Sequence, residues 1–233
     1  MLPFGANPDL EVVAMDTTQF DRTRELLARQ GVLMMDPSAV YVEETVTVGE
    51  GTLLLPGTIL RGNTVIGKNC EIGPNTMLVD CKVDDGAVIN SSQCNQSTIG
   101  AGAQVGPFAY IRPGCTVGEQ VKVGDFVELK NSTIGDRTKI SHLTYVGDSD
   151  VGKSCNFGCG TVTVNYDGKK KFRTTIGDRC FIGCNTNLVA PVTLGDGVYT
   201  AAGSTITDDV PAGELAIARA RQINKAGWHD KRD

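Results

Sequence analysis

Three features are scarce in this 233-residue chain: aromatic side chains, excess positive charge and long apolar runs. Aromatic residues make up only 6% of the chain, which argues against a broad core packed around large rings. A formal net charge of −5 excludes a global basic field for nucleic acid. No apolar run approaches the roughly 18 residues of a membrane-spanning helix, and the start lacks the charged-then-apolar order of a secretory signal. We therefore expect a cytoplasmic protein with no membrane insertion.

Glycine is abundant, with 28 residues, and it follows a six-residue pattern. An aliphatic residue followed by Gly recurs in this step, and Leu54, Leu60 and Ile111 keep the register without the Gly. The aliphatic members are Val48, Ile66, Ile72, Ile99, Val105, Val117, Val123, Ile134, Val151, Ile176, Ile182 and Leu194. A small residue four places later shares their strand face, which should point inward. Such short strands cannot bury their faces alone, so they should stack as an all-β solenoid of triangular coils rather than form an ordinary sandwich.

The pattern divides the chain into three parts. Residues 1–31 form a linker with a helix from Thr18 to Gln30, which Gly31 should terminate. Residues 32–210 carry the hexapeptides and should form the parallel β-helix. Residues 211–233 lose the repeat and should form a C-terminal cap over the open end of the solenoid.

The repeat is interrupted in three places. Its register slips near residues 78–98 and between Val123 and Ile134, and it breaks between Phe157 and Ile176. Loops, and with them function, are expected where a regular scaffold is interrupted. Within the break, residues 165–173 combine a tight turn with a basic run, which indicates a protruding loop. Such a loop could close over an anionic ligand, or its lysines could form only a solvated face.

Arg112 and Lys130 directly follow two aliphatic residues of the repeat, Ile111 and Leu129, and they are eighteen residues apart. Three hexapeptides make one coil, so the two cations should stack about 5 Å apart on adjacent coils. Cations this close repel each other unless both reach solvent or share an anion, for which a phosphate dianion is suited. A solvated ladder of basic side chains is the alternative.

His142 lies two places after the aliphatic residue of its repeat, so it should sit on a turn with its side chain outside the core. An imidazole titrates near neutral pH and is the usual general base for freeing an amine nucleophile from its proton. Glu128, which should also face outward, could orient the ring. A plain surface histidine and a plain surface glutamate are the alternatives.

The eight cysteines invite a metal hypothesis, because Cys155 and Cys159, and likewise Cys180 and Cys184, are spaced as ligand pairs. The register argues against it, because several cysteines occupy the small inward position of the repeat. They are Cys70, Cys115, Cys155 and Cys180. A free cysteine there behaves as a small buried apolar residue, so we expect no metal site. Disulfides are equally unexpected in a reducing compartment.

Several ordered motifs go beyond the generic hexapeptide: GPFAYIRPG, VELKN, SHLTYVGD, VNYDG, LVAPV, AAGST and KAGW. With their spacings they resemble the acetyltransferase half of the bifunctional N-acetylglucosamine-1-phosphate uridyltransferase/glucosamine-1-phosphate acetyltransferase family, from about residue 8 to Trp228. The resemblance implies a left-handed coil and a homotrimer with sites between subunits. It also implies acetyl transfer from acetyl-CoA to the amine of glucosamine-1-phosphate, for UDP-N-acetylglucosamine and cell-envelope precursor synthesis.

The same resemblance implies residue roles. His142 would deprotonate the acceptor amine, with Glu128 in support. The sugar phosphate would be held by Arg112, Lys130, Tyr145, Asn156 and Lys171. Acetyl-CoA, a co-substrate that needs no metal, would meet Cys159, Asn165, Tyr166, Cys184, Ala202, Arg219 and Lys225.

Two departures from the family pattern matter. The family usually has Ala in place of Cys159 and Ser in place of Cys184, which affects the expected contacts to acetyl-CoA. Nothing in the chain resembles the nucleotide-binding glycine-rich loop of the uridyltransferase half, so we expect no uridyl transfer from this chain. A hexapeptide acyltransferase with another amine or hydroxyl acceptor, and a non-catalytic structural β-helix, are the alternatives.

Overall fold

The computed structural model describes residues 18–229, which begin with a short helix packed on the first coil of a β-solenoid. Helix α1, Thr18–Arg29, is amphipathic and buries Leu27. Arg24 ties it to the solenoid, because Nη1 donates a hydrogen bond of 2.9 Å to the carbonyl oxygen of Val40. Gly31 follows with φ +89°, a left-handed conformation that favours glycine just after a helix. The predicted helix and its terminating glycine are confirmed, although the last helical residue is Arg29 instead of Gln30.

The described residues contain three parallel sheets, which form the three faces of a triangular prism. The first sheet contains β1 Leu33–Met34, β4 Leu53–Leu54, β7 Glu71–Ile72, β10 Val88–Ile89, β13 Gln104–Val105, β16 Lys122–Asp125, β19 Lys139–His142, β22 Asn156–Phe157, β25 Phe181–Ile182, β28 Tyr199–Thr200 and β30 Leu215–Ala216. The second contains β2 Tyr41–Val42, β5 Ile59–Arg61, β8 Met77–Val79, β11 Gln93–Asn95, β14 Tyr110–Ile111, β17 Glu128–Lys130, β20 Tyr145–Gly147, β23 Val162–Val164, β26 Asn187–Val189 and β29 Thr205–Ile206. The third contains β3 Thr47–Val48, β6 Val65–Ile66, β9 Lys82–Val83, β12 Thr98–Ile99, β15 Thr116–Val117, β18 Thr133–Ile134, β21 Ser149–Val151, β24 Thr174–Ile176 and β27 Val192–Leu194. The chain visits the sheets in turn, so the fold is the predicted left-handed parallel β-helix.

Inward positions of the hexapeptide form the core. Every aliphatic residue of the repeat is buried, as are the four cysteines predicted to occupy the small inward position. Threonines in that position link successive coils through their hydroxyl groups. Thr52 Oγ1, for example, donates to the carbonyl oxygen of Gly67 at 2.8 Å and accepts from the amide of Cys70 at 3.0 Å. Such pairing avoids the cost of burying a hydroxyl without a partner, although the buried Thr174 Oγ1 has none.

The predicted break in the repeat is confirmed. Glu128 pairs with Tyr145, seventeen residues later, whereas Asn156 pairs with Phe181, twenty-five residues later. The longer coil contains a hairpin, in which Tyr166 bridges Lys171 and the amide of Phe172 donates to the Asn165 carbonyl oxygen at 2.9 Å. We call residues 165–173 the basic hairpin. It leaves the prism at the corner between the second and third sheets.

Strand pairing continues beyond residue 210, because β30 pairs with β28 and the amide of Thr205 donates to the carbonyl oxygen of Ala218. The following residues, as far as the structure describes them, have exposed side chains. The division between solenoid and cap at residues 210 and 211 stays a prediction. The described residues include no helix with the length and apolar character that crossing a membrane requires.

Candidate active site

Three cations gather at the corner between the second and third sheets. Ile111 pairs with Leu129, so Arg112 and Lys130 lie on adjacent coils as predicted. The basic hairpin brings Lys171 beside them. The pKa of Lys171 is lowered because the Lys130 side chain lies close to it, and the charge of Arg112 acts in the same direction. The arrangement therefore favours an anion at this corner.

The two stacked cations do not share one anion within the chain, because each has its own carboxylate. Arg112 Nη1 lies 2.8 Å from Glu128 Oε1, and Lys130 Nζ lies 3.1 Å from Asp148 Oδ2. Together with Lys171, these groups carry three positive and two negative charges, a net charge of +1. We call these five residues the cation cluster. Its carboxylates hold the long basic side chains in place, and its excess charge leaves it attractive to an anion.

Asp148 is the buried centre of the cluster, and the sequence analysis missed it. Its carboxylate accepts hydrogen bonds from Lys130, from Asn131 Nδ2 at 2.6 Å and from Asn165 Nδ2 at 2.5 Å. Burial opposes its ionisation, but these donors outweigh burial and lower its pKa. Burial likewise opposes the charge on Lys130, while hydrogen bonding and the Asp148 carboxylate raise the pKa of that lysine. Asp148 ends the SHLTYVGD motif, but the motif alone does not show that its carboxylate is buried among three donors.

Tyr145 and the basic hairpin complete this corner. Asn165 Nδ2 lies 3.4 Å from Tyr145 Oη, and Asn165 is 8% exposed. The resemblance predicts that Asn165 contacts acetyl-CoA, whereas in this chain Asn165 packs among residues predicted to hold the sugar phosphate. Tyr166 remains 54% exposed and donates from Oη to the carbonyl oxygen of Gly168 at 2.7 Å.

His142 lies at another corner, where the first sheet turns into the second. His142 is the last residue of strand β19, and its side chain lies outside the core. The predicted outward orientation is therefore confirmed, although the residue ends a strand instead of lying on a turn. Its Nδ1 lies 2.6 Å from Oδ1 of Asp125, its register partner on the previous coil. Within one chain Glu128 binds Arg112 instead of this ring, so its role in orienting His142 stays a prediction. The two residues are fourteen positions apart, several short of a full coil, so they lie on different parts of the prism.

Several residues predicted to meet acetyl-CoA form one column with His142. Pairing at this corner follows the order Val123, Ile140, Phe157, Ile182 and Thr200. Two residues beyond these positions stand Asp125, His142, Cys159, Cys184 and Ala202, stacked on successive coils. We call this set the histidine column. The Asn185 amide donates to the Cys159 carbonyl oxygen and the Gly203 amide to that of Cys184, both at 2.8 Å, so the coils here are in close contact.

The remaining predicted residues lie near the column or away from both groups. A methyl group built on Gly203 would lie 3.7 Å from Arg219 Cδ, so Arg219 stands at the end of the histidine column. Asn156 lies on the first sheet between Lys139 and Phe181, on a different prism face from the cation cluster. Lys225 Nζ lies 6.0 Å from the centre of the Trp228 ring. Within one chain, the predicted site residues thus form two groups with Asn156 and Lys225 outside them.

The histidine column and the cation cluster stand at opposite ends of one prism face. His142 and Asp148 are six positions apart, which corresponds to roughly 15–20 Å at about 3.3 Å per residue. A monosaccharide phosphate is much shorter than this distance. The backbone positions of His142 and Asp148 within one chain are therefore farther apart than such an acceptor is long. Among the described residues, no three His, Cys, Asp or Glu side chains come together as metal ligands.

Comparison with known proteins identifies the repeat. The family model "Bacterial transferase hexapeptide (six repeats)" matches residues 45–79, 96–131 and 173–208. The chain is 50% identical over 224 residues to "Bifunctional protein GlmU" of Clostridium kluyveri, a match that covers 96% of this chain and 49% of that protein. It is also 50% identical over 228 residues to the protein of the same name from Clostridium beijerinckii, covering 98% of this chain and 50% of that one. The chain thus spans about half the length of the curated relatives it matches.

Solved structures agree on the architecture. UDP-N-acetylglucosamine acyltransferase of Francisella novicida has a TM-score of 0.58 and 15% sequence identity, over 80% of this chain and 67% of that one. The Arabidopsis acyltransferase of the same name has a TM-score of 0.51 and 16% identity, over 81% and 70% of the two chains. At these identities the likeness concerns the fold alone. With its six-residue repeat, three-sided coil and three matched segments, the chain belongs to the bacterial transferase hexapeptide family.

Proposed function

We propose that this chain is an acetyltransferase that moves the acetyl group of acetyl-CoA to the amine of glucosamine-1-phosphate. One observation carries the proposal: an exposed imidazole is anchored through Nδ1 at one end of a prism face, and an anion-attracting cation cluster occupies the other end. The motif resemblance and the relatives named bifunctional protein GlmU support the same activity. A cytoplasmic location is part of the proposal.

The chemistry follows from the free nitrogen of the ring. His142 Nε2 removes a proton as the acceptor nitrogen attacks the thioester carbonyl carbon. A C–N bond forms, the C–S bond breaks, and the proton passes from the imidazole to the departing thiolate. Arg112, Lys130 and Lys171 bind the sugar phosphate, whose charge of about −1.5 to −2 is opposite to the excess positive charge of the cluster. Glu128 and Asp148 hold the cations in position before the substrate arrives.

The histidine column fits the extended thioester arm of the co-substrate. Cys159, Cys184 and Ala202 have small side chains, so the corner above His142 offers a shallow, unobstructed path along the solenoid axis. Cys184 is exposed and Cys159 half-buried, which leaves their side chains accessible to a ligand on this path. Arg219, at the far end, is suited to a phosphate group.

We further propose that the enzyme is a homotrimer with each site between two subunits. The distance between the histidine column and the cation cluster makes a site within one chain too long for the acceptor. The corner beside His142 also exposes Phe108, Phe126 and Leu143, by 60%, 57% and 57%. The two phenylalanine rings stack on each other with centroids 5.5 Å apart. An exposed apolar strip of this kind is typical of a surface that a second subunit covers.

The activity is tested by thiol release from acetyl-CoA with glucosamine-1-phosphate as the acceptor. Wild type should turn over, and His142→Ala should lose about 10²- to 10⁴-fold in kcat, the usual contribution of a general base. Glucosamine-6-phosphate and a reaction without acceptor serve as controls for acceptor choice and thioester hydrolysis. An inert wild-type trimer, or a fully active His142→Ala variant, would contradict the proposal.

The shared site is tested by mixing two inactive variants. His142→Ala and Lys130→Met are each expected to be nearly inactive as homotrimers. In trimers formed after refolding an equal mixture, about one quarter of the sites would combine an intact His142 with an intact Lys130 from the neighbouring subunit. Recovery near this fraction supports sites between subunits. No recovery in mixed trimers would show that both groups must come from the same chain.

A further inference from the structure

Asp125 and His142 form a side-chain pair that nothing in the sequence motifs assigned. They are register partners on β16 and β19, and the Nδ1 to Oδ1 distance is 2.6 Å. Both strands are four residues long, whereas most strands of the first sheet have two, so the ladder extends to the corner at this point. Backbone pairing therefore holds the two side chains against each other.

The packing beneath the pair is close. A methyl group built on Gly124 would overlap the carbonyl oxygen of Ser141, so only glycine permits this approach of the two coils. The amide of Leu143 donates to the carbonyl oxygen of Asp125 at 3.0 Å, and Thr144 Oγ1 donates to that of His142 at 2.7 Å. The backbone on both sides of the ring is thus fixed, and the ring itself is fixed through Nδ1.

We infer that Asp125 is the positioning residue of the general base: its carboxylate accepts the Nδ1–H of His142 and keeps Nε2 unprotonated and directed toward the acceptor amine. The inference rests on the proposed acetyltransferase function and adds a residue to it. A carboxylate beside a histidine fixes the tautomer and ring orientation in the same way in other enzyme sites. Without such a partner, the proton of a neutral imidazole is not held on Nδ1. The contact with Asp125 therefore decides which ring nitrogen is free to accept a proton.

Within the described part of one chain, Asp125 is the carboxylate that contacts the His142 ring. Lys122, on the same strand as Asp125, contributes a positive charge that favours the ionised carboxylate. The next coil presents Cys159 at the position that stacks on His142, and the preceding coil presents Pro107. Glu128 is held by Arg112 at 2.8 Å.

The decisive measurement is the tautomer of His142 by NMR of protein labelled with ¹⁵N-histidine, in alkaline buffer. The chain has only two histidines, so His142→Gln assigns the spectrum by leaving His229 alone. We expect wild type to carry the proton on Nδ1. Asp125→Ala should shift it toward Nε2, whereas Asp125→Asn should keep it on Nδ1, because the amide oxygen can still accept that hydrogen bond.

Kinetics provide the second readout. Asp125→Ala should lower kcat about 10- to 100-fold with little change in KM for the sugar phosphate, and Asp125→Asn should recover part of the loss. Glu128→Gln should instead raise that KM and leave the tautomer unchanged. Asp136→Asn, which removes a partly exposed carboxylate bound to Lys153, is the matched control and should behave as wild type.

The outcomes separate the two proposals. An unchanged tautomer in Asp125→Ala, or full kcat in that variant while His142→Ala is inactive, would overturn the role of Asp125. If wild type were inert toward glucosamine-1-phosphate but Asp125→Ala still moved the proton, the acceptor assignment would fail and the pairing would stand.

Discussion

Breaking the ion pair between Lys130 and Asp148 should cost far more stability than breaking a surface pair of the same chemistry. The Lys130 and Asp148 side chains are 18% and 7% exposed, with a shortest N–O distance of 3.1 Å. Lys153 and Asp136 provide the matched comparison, because their distance is 2.9 Å but their side chains are 57% and 28% exposed. Solvent exposure, and not distance, thus separates the two pairs.

The magnitude follows from that difference. At an effective dielectric constant of about 20, two unit charges 3.1 Å apart attract by about 5 kcal/mol. Desolvation of both groups offsets part of this attraction, so we expect a net coupling free energy of about 2–3 kcal/mol for Lys130 and Asp148. Water screens the exposed pair of Lys153 and Asp136, so its coupling free energy should be much smaller.

The assay is a double-mutant cycle in urea unfolding at one fixed protein concentration. It uses Lys130→Met, Asp148→Asn and the double variant, beside Lys153→Met, Asp136→Asn and their double variant. The two single variants at the buried pair should each be strongly destabilised, and the double variant should lose much less than their sum. Equal coupling in the two cycles would refute the view that burial of Asp148 organises the cation cluster.

Three further outcomes are expected. Hydrogen-bond donors outweigh burial and lower the pKa of Asp148. The ionised carboxylate therefore stabilises the folded protein above the ordinary carboxyl pKa of about 3.9, and this stabilisation is lost as pH falls through the lowered pKa. The urea-unfolding advantage of wild type over Asp148→Asn should therefore shrink in acid and stay constant between about pH 5 and 8. Gly106→Ala should destabilise far more than Gly86→Ala in thermal unfolding: both have positive φ, but only a methyl group at Gly106 meets the Asn90 carbonyl oxygen. Iodoacetamide should alkylate Cys184 first, because it is the exposed cysteine among the described residues, and peptide mass spectrometry would detect the product. Acetyl-CoA should slow that reaction. Alkylation at the same rate with and without acetyl-CoA would argue against a contact between the cofactor and Cys184.

The site was only partly predictable. Arg112 and Lys130 stack as expected, because they are one full eighteen-residue coil apart and directly follow paired residues. The partner of His142 was not predictable by the same rule, because the coil from Asp125 to His142 has seventeen residues. A change of one residue in coil length moves a different side chain into contact. An eighteen-residue spacing would place Gly124 beside His142, whereas the seventeen-residue coil places Asp125 there within the chain.

Asp148 could not be recognised for a related reason. Its importance comes from burial beneath the basic hairpin, where donors from the preceding coil and from the hairpin converge on one carboxylate. Each donor is seventeen or eighteen residues away in sequence, and Asn165 reaches it only because the hairpin leaves the prism at this corner. Side-chain reach and loop path, unlike the repeat, leave no periodic trace in the sequence.

The sequence by itself determined the coil, its inward residues and the position of the interruption. Those properties are local: a six-residue period assigns each residue to a strand face or a turn whatever the neighbouring coils contain. Only the tertiary structure decided which charged side chains meet across coils and that the imidazole and the cation cluster stand at opposite ends of a prism face. These contacts depend on the exact length of every intervening coil and on side-chain burial, which arise only when the coils are stacked.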